Sequence, residues 1–259
     1  MGARRVAFIN EKGGTCKTTL AVHTAAWLAS EKGRRVLLLD LDTQGHAGKS
    51  LGIDVRGSSL TMADVLVAEN IEPEAAILST AISGLDVLPS NRSLADLPER
   101  LAAKPDRHRL LRQVIDELEA RRDYDVFVFD APPSVGLLTL SIMIAAREIV
   151  VPVALTYFAL DGCAEIVQTV EMVREEYGHE DIEVSLVVPT LHRRTRLAEE
   201  VLAKLEHYFA GSVASPLGFN VKIDEAQSHG RTIWEHAPSS RGAQMLETIA
   251  SEIWEKRAR

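Results

Sequence analysis

Near its start, the chain contains a short loop whose residues suit phosphate binding. The stretch EKGGTCKTT, residues 11–19 (the phosphate loop), directly follows the apolar run RRVAFIN. Loops of the form G-x-x-x-x-G-K-[ST] surround phosphates with backbone N–H groups, and their lysine and hydroxyl reach the phosphates and Mg²⁺. Lys17 and Thr18 fill the final pair, but Glu11 and Cys16 replace the two framing glycines. The loop is therefore a partial match to a nucleotide-binding motif.

The other residues of the phosphate loop fit the same chemistry. Gly13 and Gly14 let the backbone turn its N–H groups inward, and the positive end of a following helix would lie behind the phosphates. A glycine-rich turn without a ligand is the alternative, but a strand before the loop and a helix after it favour nucleotide binding. The predicted contacts are Gly13, Gly14, Thr15, Cys16, Lys17, Thr18 and Thr19.

Acidic residues follow two other apolar runs. In LLLDLDTQG, Asp40 and Asp42 are two residues apart at a strand end and so share a face. One carboxylate could orient a water molecule or a Mg²⁺-bound water, and its neighbour could hold the loop. In VFVFDAPPS, Asp130 ends an apolar run, which is the form of a Walker B strand whose aspartate holds Mg²⁺. Each pattern is weak alone, because Asp at strand ends also caps helices and turns.

Strands and helices that could position these motifs are visible in the apolar pattern. Runs without alternation predict buried parallel strands at residues 6–9, 36–39, 126–129, 149–155 and 184–188. Amphipathic stretches predict helices at residues 20–32, 108–122, 165–178, 196–211 and 242–257. This alternation predicts an α/β fold, a doubly wound, mostly parallel sheet with helices on both faces, in a single domain spanning residues 1–259. Because ligands bind at the carboxyl ends of such strands, the three motifs should converge there.

Composition and charge exclude several classes of protein. Of the 259 residues, 46% are hydrophobic and 25% charged, as is ordinary for a globular protein. Cys16 and Cys163 make no disulfide framework, and the sequence predicts neither a secretion signal nor a membrane span, so we expect a cytoplasmic protein. The net charge of −8 argues against a surface that is basic overall, as a surface covered with nucleic-acid-binding residues would be. Residues 193–259 carry 10 basic and 9 acidic residues, which leaves room for a local basic face.

In this order, the three motifs resemble those of the ParA/MinD family of deviant Walker ATPases, most closely its short ParA-type (Soj-like) partitioning proteins. The family's phosphate-binding loop reads K-G-G-x-G-K-[ST]-T, which residues 12–19 resemble. Its second motif, D-x-D-P-Q-G, is similar to residues 40–45, and its third motif matches FDAPPS at residues 129–134. The departures are Glu11, Cys16 and Thr43. Further similarity covers residues 88–97, 151–162, 193–201 and 220–233.

The resemblance implies a P-loop NTPase that works as a dimer. Two subunits would enclose two ATP molecules, with Lys12 as the signature lysine that reaches the partner's nucleotide. Asp42 would position the attacking water, and Thr18, Asp42 and Asp130 would serve Mg²⁺. The implied activity is a weak Mg²⁺-dependent ATPase, in which ATP holds the homodimer and hydrolysis releases it.

The resemblance also implies partners. ParA-type relatives bind DNA non-specifically as ATP dimers, and a ParB-like or cargo-adaptor protein stimulates hydrolysis, so the expected location is the cytoplasm at the nucleoid. Phe219 departs from the pattern, since relatives often have Arg there. The basic positions that match the family are Arg194 and Lys222, with Arg193, Arg196 and Arg231 nearby. The predicted DNA-binding residues are Arg193, Arg194, Lys222 and Arg231.

Two alternatives remain open. A MinD-like ATPase at the membrane needs an amphipathic C-terminal helix. The last predicted helix has an apolar face followed by basic residues. The face comprises Met245, Leu246, Ile249, Ile253 and Trp254, and the basic residues are Lys256, Arg257 and Arg259. A closing helix packed on the domain gives the same pattern and is favoured.

The second alternative is a hydrolysis-impaired nucleotide-binding scaffold, because Cys16 stands where the family has Gly. A positive φ there would cost about 1–2 kcal/mol. A thiol at a helix N-terminus can also be acidified and reactive, but a tolerated small side chain is the favoured interpretation.

Overall fold

The protein forms one seven-stranded sheet in the order β3-β4-β2-β5-β1-β6-β7. The computed structural model describes residues 2–68, 70–121, 124–134 and 136–256. Among the strands that the structure describes, only β3 and β4 pair antiparallel. The strands are β1 (Arg4–Phe8), β2 (Val36–Asp40), β3 (Leu78–Ser79), β4 (Leu85–Leu88), β5 (Val126–Asp130), β6 (Glu148–Ala154) and β7 (Glu183–Thr190).

Helices cover both faces of this sheet, as the doubly wound prediction requires. One apolar cluster lies under α3 and α5–α8, and the other lies under α1, α9, α10 and α11. The helices are α1 (Lys17–Lys32), α2 (His46–Ser50), α3 (Met62–Val67), α4 (Leu97–Arg100), α5 (Leu110–Arg121), α6 (Leu137–Ala145), α7 (Ala159–Tyr177), α8 (Arg196–Tyr208), α9 (Val221–Ser228), α10 (Ile233–His236) and α11 (Arg241–Glu255).

The last helix packs on the domain, as favoured above. Leu246, Ile249 and Ile253 are each only 1% exposed, and α11 lies against α1. The basic residues Arg257 and Arg259 lie outside the described residues. Within the described part of the chain, the helices are all too short or too polar to cross a membrane.

The strand order brings the three motifs to one edge of the sheet. β5 lies between β2 and β1, and Asp130 at its end is in register with both Asp40 and Phe8. The phosphate loop follows β1 directly. The predicted convergence at the carboxyl ends of these strands is therefore present.

Candidate functional site

The phosphate loop forms an open cradle at the start of α1. Gly14 and Cys16 both have left-handed backbone conformations, with φ of 72° and 65°, and Cys16 is the N-cap residue of α1. Apart from the adjoining residues, a β-carbon at Gly13 or Gly14 would meet no atom within 4 Å, so both glycines border open space. The first N–H groups of a helix lack intrahelical partners, and here they adjoin this open space. The arrangement suits an anion.

Lys17 lies beneath the loop rather than in solvent. Its side chain is buried, and its ammonium donates a hydrogen bond to the carbonyl oxygen of Lys12 at 3.0 Å. Burial lowers the pKa of Lys17, while the nearby carboxyl groups of Asp130 and Asp42 act in the opposite direction. A desolvated ammonium beside a free cradle is a strong partner for phosphate.

Asp40 holds the turn that follows β2. Its carboxyl group accepts hydrogen bonds from the backbone N–H of Asp42 at 3.3 Å and of Gly48 at 3.1 Å. Burial raises the pKa of Asp40 to about 7, although these hydrogen bonds favour the charged form. Of the two aspartates, Asp40 is therefore the one that fixes the loop.

Asp42 occupies that turn and faces the open space. Its Oδ1 accepts a hydrogen bond from the N–H of Gln44 at 2.9 Å, and the hydroxyl of Ser90 donates to its carbonyl oxygen at 2.5 Å. The backbone of Asp42 is thus held by Ser90 and by Asp40, and the Gln44 N–H orients its carboxylate, which remains partly exposed. This geometry can present a carboxylate to a ligand or water molecule in the cavity.

Asp130 is the least satisfied polar group at the site. Its carboxyl group is fully buried, and neither oxygen accepts a hydrogen bond of ordinary geometry from the residues that the structure describes. Burial raises the pKa of Asp130 well above its usual range, with the charge of Asp40 next in importance, and Thr18 and Lys17 act in the opposite direction. A divalent cation would satisfy such a carboxylate, since Mg²⁺ prefers one or two carboxylates together with phosphate oxygens.

Protein groups alone do not form a complete metal cage here. Among the described residues, no group of three or more His, Cys, Asp or Glu side chains is arranged to hold a metal ion. A cation at Asp130 would therefore need oxygens from the Thr18 hydroxyl, water and a bound phosphate. That requirement suits a metal that arrives with its nucleotide.

The phosphate loop and Asp42 border a cavity of about 760 Å³ (the main cavity). Asp130 lies beneath it, and Lys12 points away, with its ammonium 2.5 Å from the carbonyl oxygen of Phe158 on the α7 side. Sequence reasoning missed the lining from α2 and α9, because no local signal marks it. The lining comprises Gly13, Gly14, Thr15, Cys16, Lys17, Thr18, Thr19, Asp42, Gln44, His46, Lys49, Ser50, Pro133, Gln227, Ser228 and Gly230.

The missed residues are held in place by contacts between distant segments. The hydroxyl of Thr19 donates a hydrogen bond to the side-chain oxygen of Gln227 at 3.4 Å, although the two residues are 208 positions apart in the chain. Gly52 and Gly230 cross so closely that a β-carbon on Gly230 would lie 2.7 Å from the Cα of Gly52. Both glycines have positive φ. A side chain at either position would separate α2 from α9 and widen the main cavity.

The thiol of Cys16 is weakly acidic. Burial raises the pKa of Cys16 to about 11, and the charge of Asp224 adds to this effect. Burial therefore outweighs the acidifying influence of the helix N-terminus. At neutral pH the thiol is protonated, which supports the interpretation of a tolerated small side chain.

The four predicted DNA-binding residues are all exposed. Arg193, Arg194, Lys222 and Arg231 are here called the basic surface. A bridge between His192 and Gly218 brings the first two close to the start of α9, while Arg231 follows the other end of that helix. The Arg193 guanidinium lies 5.7 Å from the ring centre of Phe219. Lys222 pairs with Glu225 at 2.6 Å.

Comparison with known proteins agrees with this geometry. The sequence profile of a family described as an AAA domain matches residues 3–184. Among solved structures, the cobyrinic acid a,c-diamide synthase of Mycobacterium smegmatis, with bound ATP analogue and magnesium, is 29% identical and superposes with a TM-score of 0.84, covering 99% of this chain and 98% of that one.

Sequence relatives extend along nearly the whole chain. The chromosome-partitioning ATPase Soj of Thermus thermophilus is 38% identical over 253 residues, which is 96% of this chain and 95% of Soj. The cell division protein PomZ of Myxococcus xanthus is 36% identical over 255 residues, which is 98% of this chain and 78% of PomZ. Because identity above one third extends across almost all of the sequence, this chain belongs to the ParA/MinD family of P-loop ATPases, with the Soj-type chromosome-partitioning proteins.

Proposed function

We propose that this chain is a slow, Mg²⁺-dependent ATPase, acting as one domain across residues 1–259, whose ATP-bound homodimer binds DNA without sequence preference. Its role is to position DNA or another large cargo, and hydrolysis resets it. The observation that carries the proposal is the buried carboxyl group of Asp130. It has no hydrogen-bond partner of ordinary geometry among the described residues and lies close to Thr18 and Lys17, which line the main cavity. ATP with Mg²⁺ supplies the missing partner.

Nucleotide binding follows from the phosphate loop. The backbone N–H groups of residues 12–19 surround the phosphates, and Lys17 neutralises part of their charge. Bound Mg²⁺ supplies further charge neutralisation, and it would be held by Thr18 and Asp130, with Asp42 close to its water. The ATP analogue and magnesium in the Mycobacterium smegmatis relative support this assignment.

Turnover requires one more group, and Asp42 is the candidate. Its carboxylate lies at the main cavity, and its backbone is held by Ser90 and Asp40. Phosphoryl transfer needs mainly positioning and charge neutralisation. Asp42 therefore orients the attacking water rather than acting as a strong base.

Dimer formation depends on Lys12 in this proposal. Its ammonium points away from its own main cavity and donates a hydrogen bond to the carbonyl oxygen of Phe158, whose side chain is exposed. In this proposal Lys12 exchanges that contact for a nucleotide on a second subunit. Sedimentation with ATP tests this role. Lys12→Ala should remain monomeric while the control Lys32→Ala forms dimers, and a Lys12→Ala protein that dimerises normally would rule out the role.

DNA would bind at the basic surface through phosphate contacts, which read no sequence. The names of the relatives, chromosome-partitioning ATPase and cell division protein, support a cargo-positioning role at the nucleoid in the cytoplasm. A ParB-like or cargo-adaptor protein stimulates hydrolysis in this scheme. A MinD-like role at the membrane has less support, because α1 covers the apolar face of α11.

Isothermal titration with ATP tests the nucleotide site, using Asp130→Asn and the exposed control Asp116→Asn. Asp130→Asn should lose most of the Mg²⁺-dependent gain in ATP affinity. The apo protein should be as stable as the wild type or more so, since a neutral amide replaces a poorly solvated carboxyl group. Mg²⁺-dependent binding that is equal in all three proteins would contradict the proposal.

A further inference from the structure

A second pocket, of about 460 Å³, adjoins the main cavity at the carboxyl ends of β2 and β4. Gln44 and Lys49 line both spaces. Three of the eight lining residues are cationic and none is acidic, although the whole chain has a net charge of −8. The lining comprises Thr43, Gln44, Lys49, Val55, Arg56, Asn91, Arg92 and Ser93.

The three cations of this pocket have no ion-pair partner in the part of the chain that the structure describes. Within the described residues, Lys49, Arg56 and Arg92 form no ion pair, and all three side chains are exposed. The ammonium of Lys49 donates a hydrogen bond to the carbonyl oxygen of Gln44, so it is held at the boundary between the two spaces. Like charges gathered in one concave site raise the local potential and favour an anion.

The remaining lining residues indicate what kind of anion fits. Hydroxyl and amide groups accompany the cations, and Val55 is the single apolar side chain. A protein segment would need an apolar anchor at the centre of its contact, which this pocket does not offer. Arginine forks and a lysine suit phosphate oxygens, and the volume is typical of small-ligand sites.

We propose that this pocket (the anion pocket) binds a small molecule that carries two or more phosphate groups, separate from the nucleotide in the main cavity. Arg56 and Arg92 bind the phosphates from opposite sides, and Lys49 binds from the boundary with the main cavity.

Such a ligand would contact the turn that carries Asp42. Thr43 and Gln44 belong to this turn and line one side of the anion pocket, while Asn91 and Ser93 line another. The two segments are already joined, because Ser90 donates a hydrogen bond to the carbonyl oxygen of Asp42. A bound phosphate would strengthen that connection directly beside the main cavity.

The test is calorimetric titration of inorganic pyrophosphate into protein saturated with Mg-ADP, with Mg²⁺ matched in both solutions. ADP occupies the α- and β-phosphate positions of the phosphate loop, so only further binding that depends on Arg56 and Arg92 reports a second site. The wild type should bind one pyrophosphate per chain. The double variant Arg56→Ala/Arg92→Ala should bind it at least about tenfold more weakly, and the control Arg100→Ala/Arg241→Ala, which removes two exposed arginines elsewhere, should match the wild type.

Three outcomes would overturn the proposal: no binding by the ADP-saturated wild type, equal weakening in both double variants, or tighter binding of a hexaglutamate peptide than of pyrophosphate. The last would indicate an acidic protein segment instead. A failure of the proposed ATPase function is distinguishable, because it would appear in the first step as a protein that does not bind Mg-ADP. Pyrophosphate binding could then still be compared between the Arg56/Arg92 variant and Lys17→Ala.

Discussion

Charged residues around the main cavity and on the basic surface lie in opposite environments. Lys17, Asp40 and Asp130 are almost wholly buried, and within the described parts of the chain neither oxygen of Asp130 has a hydrogen-bond partner of ordinary geometry. The basic surface is exposed, and its Lys222 already pairs with Glu225. Buried charges interact strongly with whatever reaches them, whereas exposed charges are weakened by water and salt. Changes at the main cavity should therefore alter chemistry at any salt concentration, and changes on the basic surface should alter binding mainly at low salt.

The largest effect is expected at Asp42. Asp42→Ala removes the carboxylate but leaves the phosphate loop and Lys17 in place, so ATP affinity should change little while turnover falls at least about 100-fold. Steady-state hydrolysis and ATP titration measure the two quantities. Asp54→Ala, which removes an exposed aspartate from a nearby turn, is the control. If Asp42→Ala hydrolyses ATP at the wild-type rate, Asp42 has no part in the mechanism.

The next effect concerns the basic surface. Arg194→Glu/Lys222→Glu should weaken DNA binding about 50-fold at about 50 mM salt and reduce the slope of affinity against salt, while ATP turnover without DNA stays unchanged. Fluorescence anisotropy with random-sequence duplexes measures this. Arg100→Glu/Arg241→Glu makes the same change in net charge elsewhere. If both pairs weaken binding equally, total charge rather than this surface governs DNA affinity.

A third prediction uses pH to probe the buried side of the comparison. The imidazole ring of His23, on α1, has a hydrogen-bond partner at each nitrogen. Its Nδ1 lies 2.7 Å from the carbonyl oxygen of Thr19, and its Nε2 accepts a hydrogen bond from the backbone N–H of Ile233 at 3.0 Å. Burial lowers the pKa of His23 from 6.5 to about 4. The unfolded chain therefore takes up a proton below about pH 6.5 and the folded protein only below about pH 4, so this stabilisation is lost as the pH falls between them.

Because of His23, the free energy of unfolding should fall by about 2 kcal/mol when the pH is lowered from 7 to 5. Asp40 and Asp130 also titrate differently on folding, so the quantity to compare is the difference between the wild type and His23→Gln in urea unfolding at both pH values. That difference should shrink by about this amount at pH 5. His207→Gln, which removes an exposed histidine, should show no such change. Parallel pH curves for His23→Gln and the wild type would contradict the prediction.

The fold was predictable where burial leaves a simple trace in the sequence. β1, β2, β5, β6 and β7 are continuous apolar runs because helices cover both faces. β4 was missed because Asp86 interrupts its short run, and β3 has only two residues. α6, with the sequence LLTLSIMIA, was missed for the opposite reason: it is apolar nearly all round and lacks the polar face that marks a helix.

The site was predictable only in its local parts. The phosphate loop and the aspartates at strand ends carry their own signals, and the structure brings them together. Lys49, Gln227 and Gly230 carry no local signal, because their place at the main cavity depends on contacts between segments far apart in the chain. The positive φ of Cys16 could not be predicted from the sequence either, because the backbone conformation of the loop depends on the surrounding fold.

The smallest effect is expected at Cys16, where the exposed and buried parts of the main cavity meet. Its φ of 65° is strained for any residue with a β-carbon, and its side chain lines the main cavity. Cys16→Gly removes that strain of about 1–2 kcal/mol, but it also adds unfolded-state entropy and loses buried contacts, so apo stability should stay within about 1 kcal/mol of the wild type. ATP should bind about tenfold more tightly, because the backbone can approach the phosphates more closely, a change of about 1.4 kcal/mol.

Cys16→Ala is the matched control: it removes the sulfur but keeps the β-carbon, so it should give only part of the gain in ATP affinity. Calorimetric titration under reducing conditions measures all three proteins. If the wild type binds ATP more tightly than Cys16→Gly, the thiol is a functional contact and not a tolerated side chain.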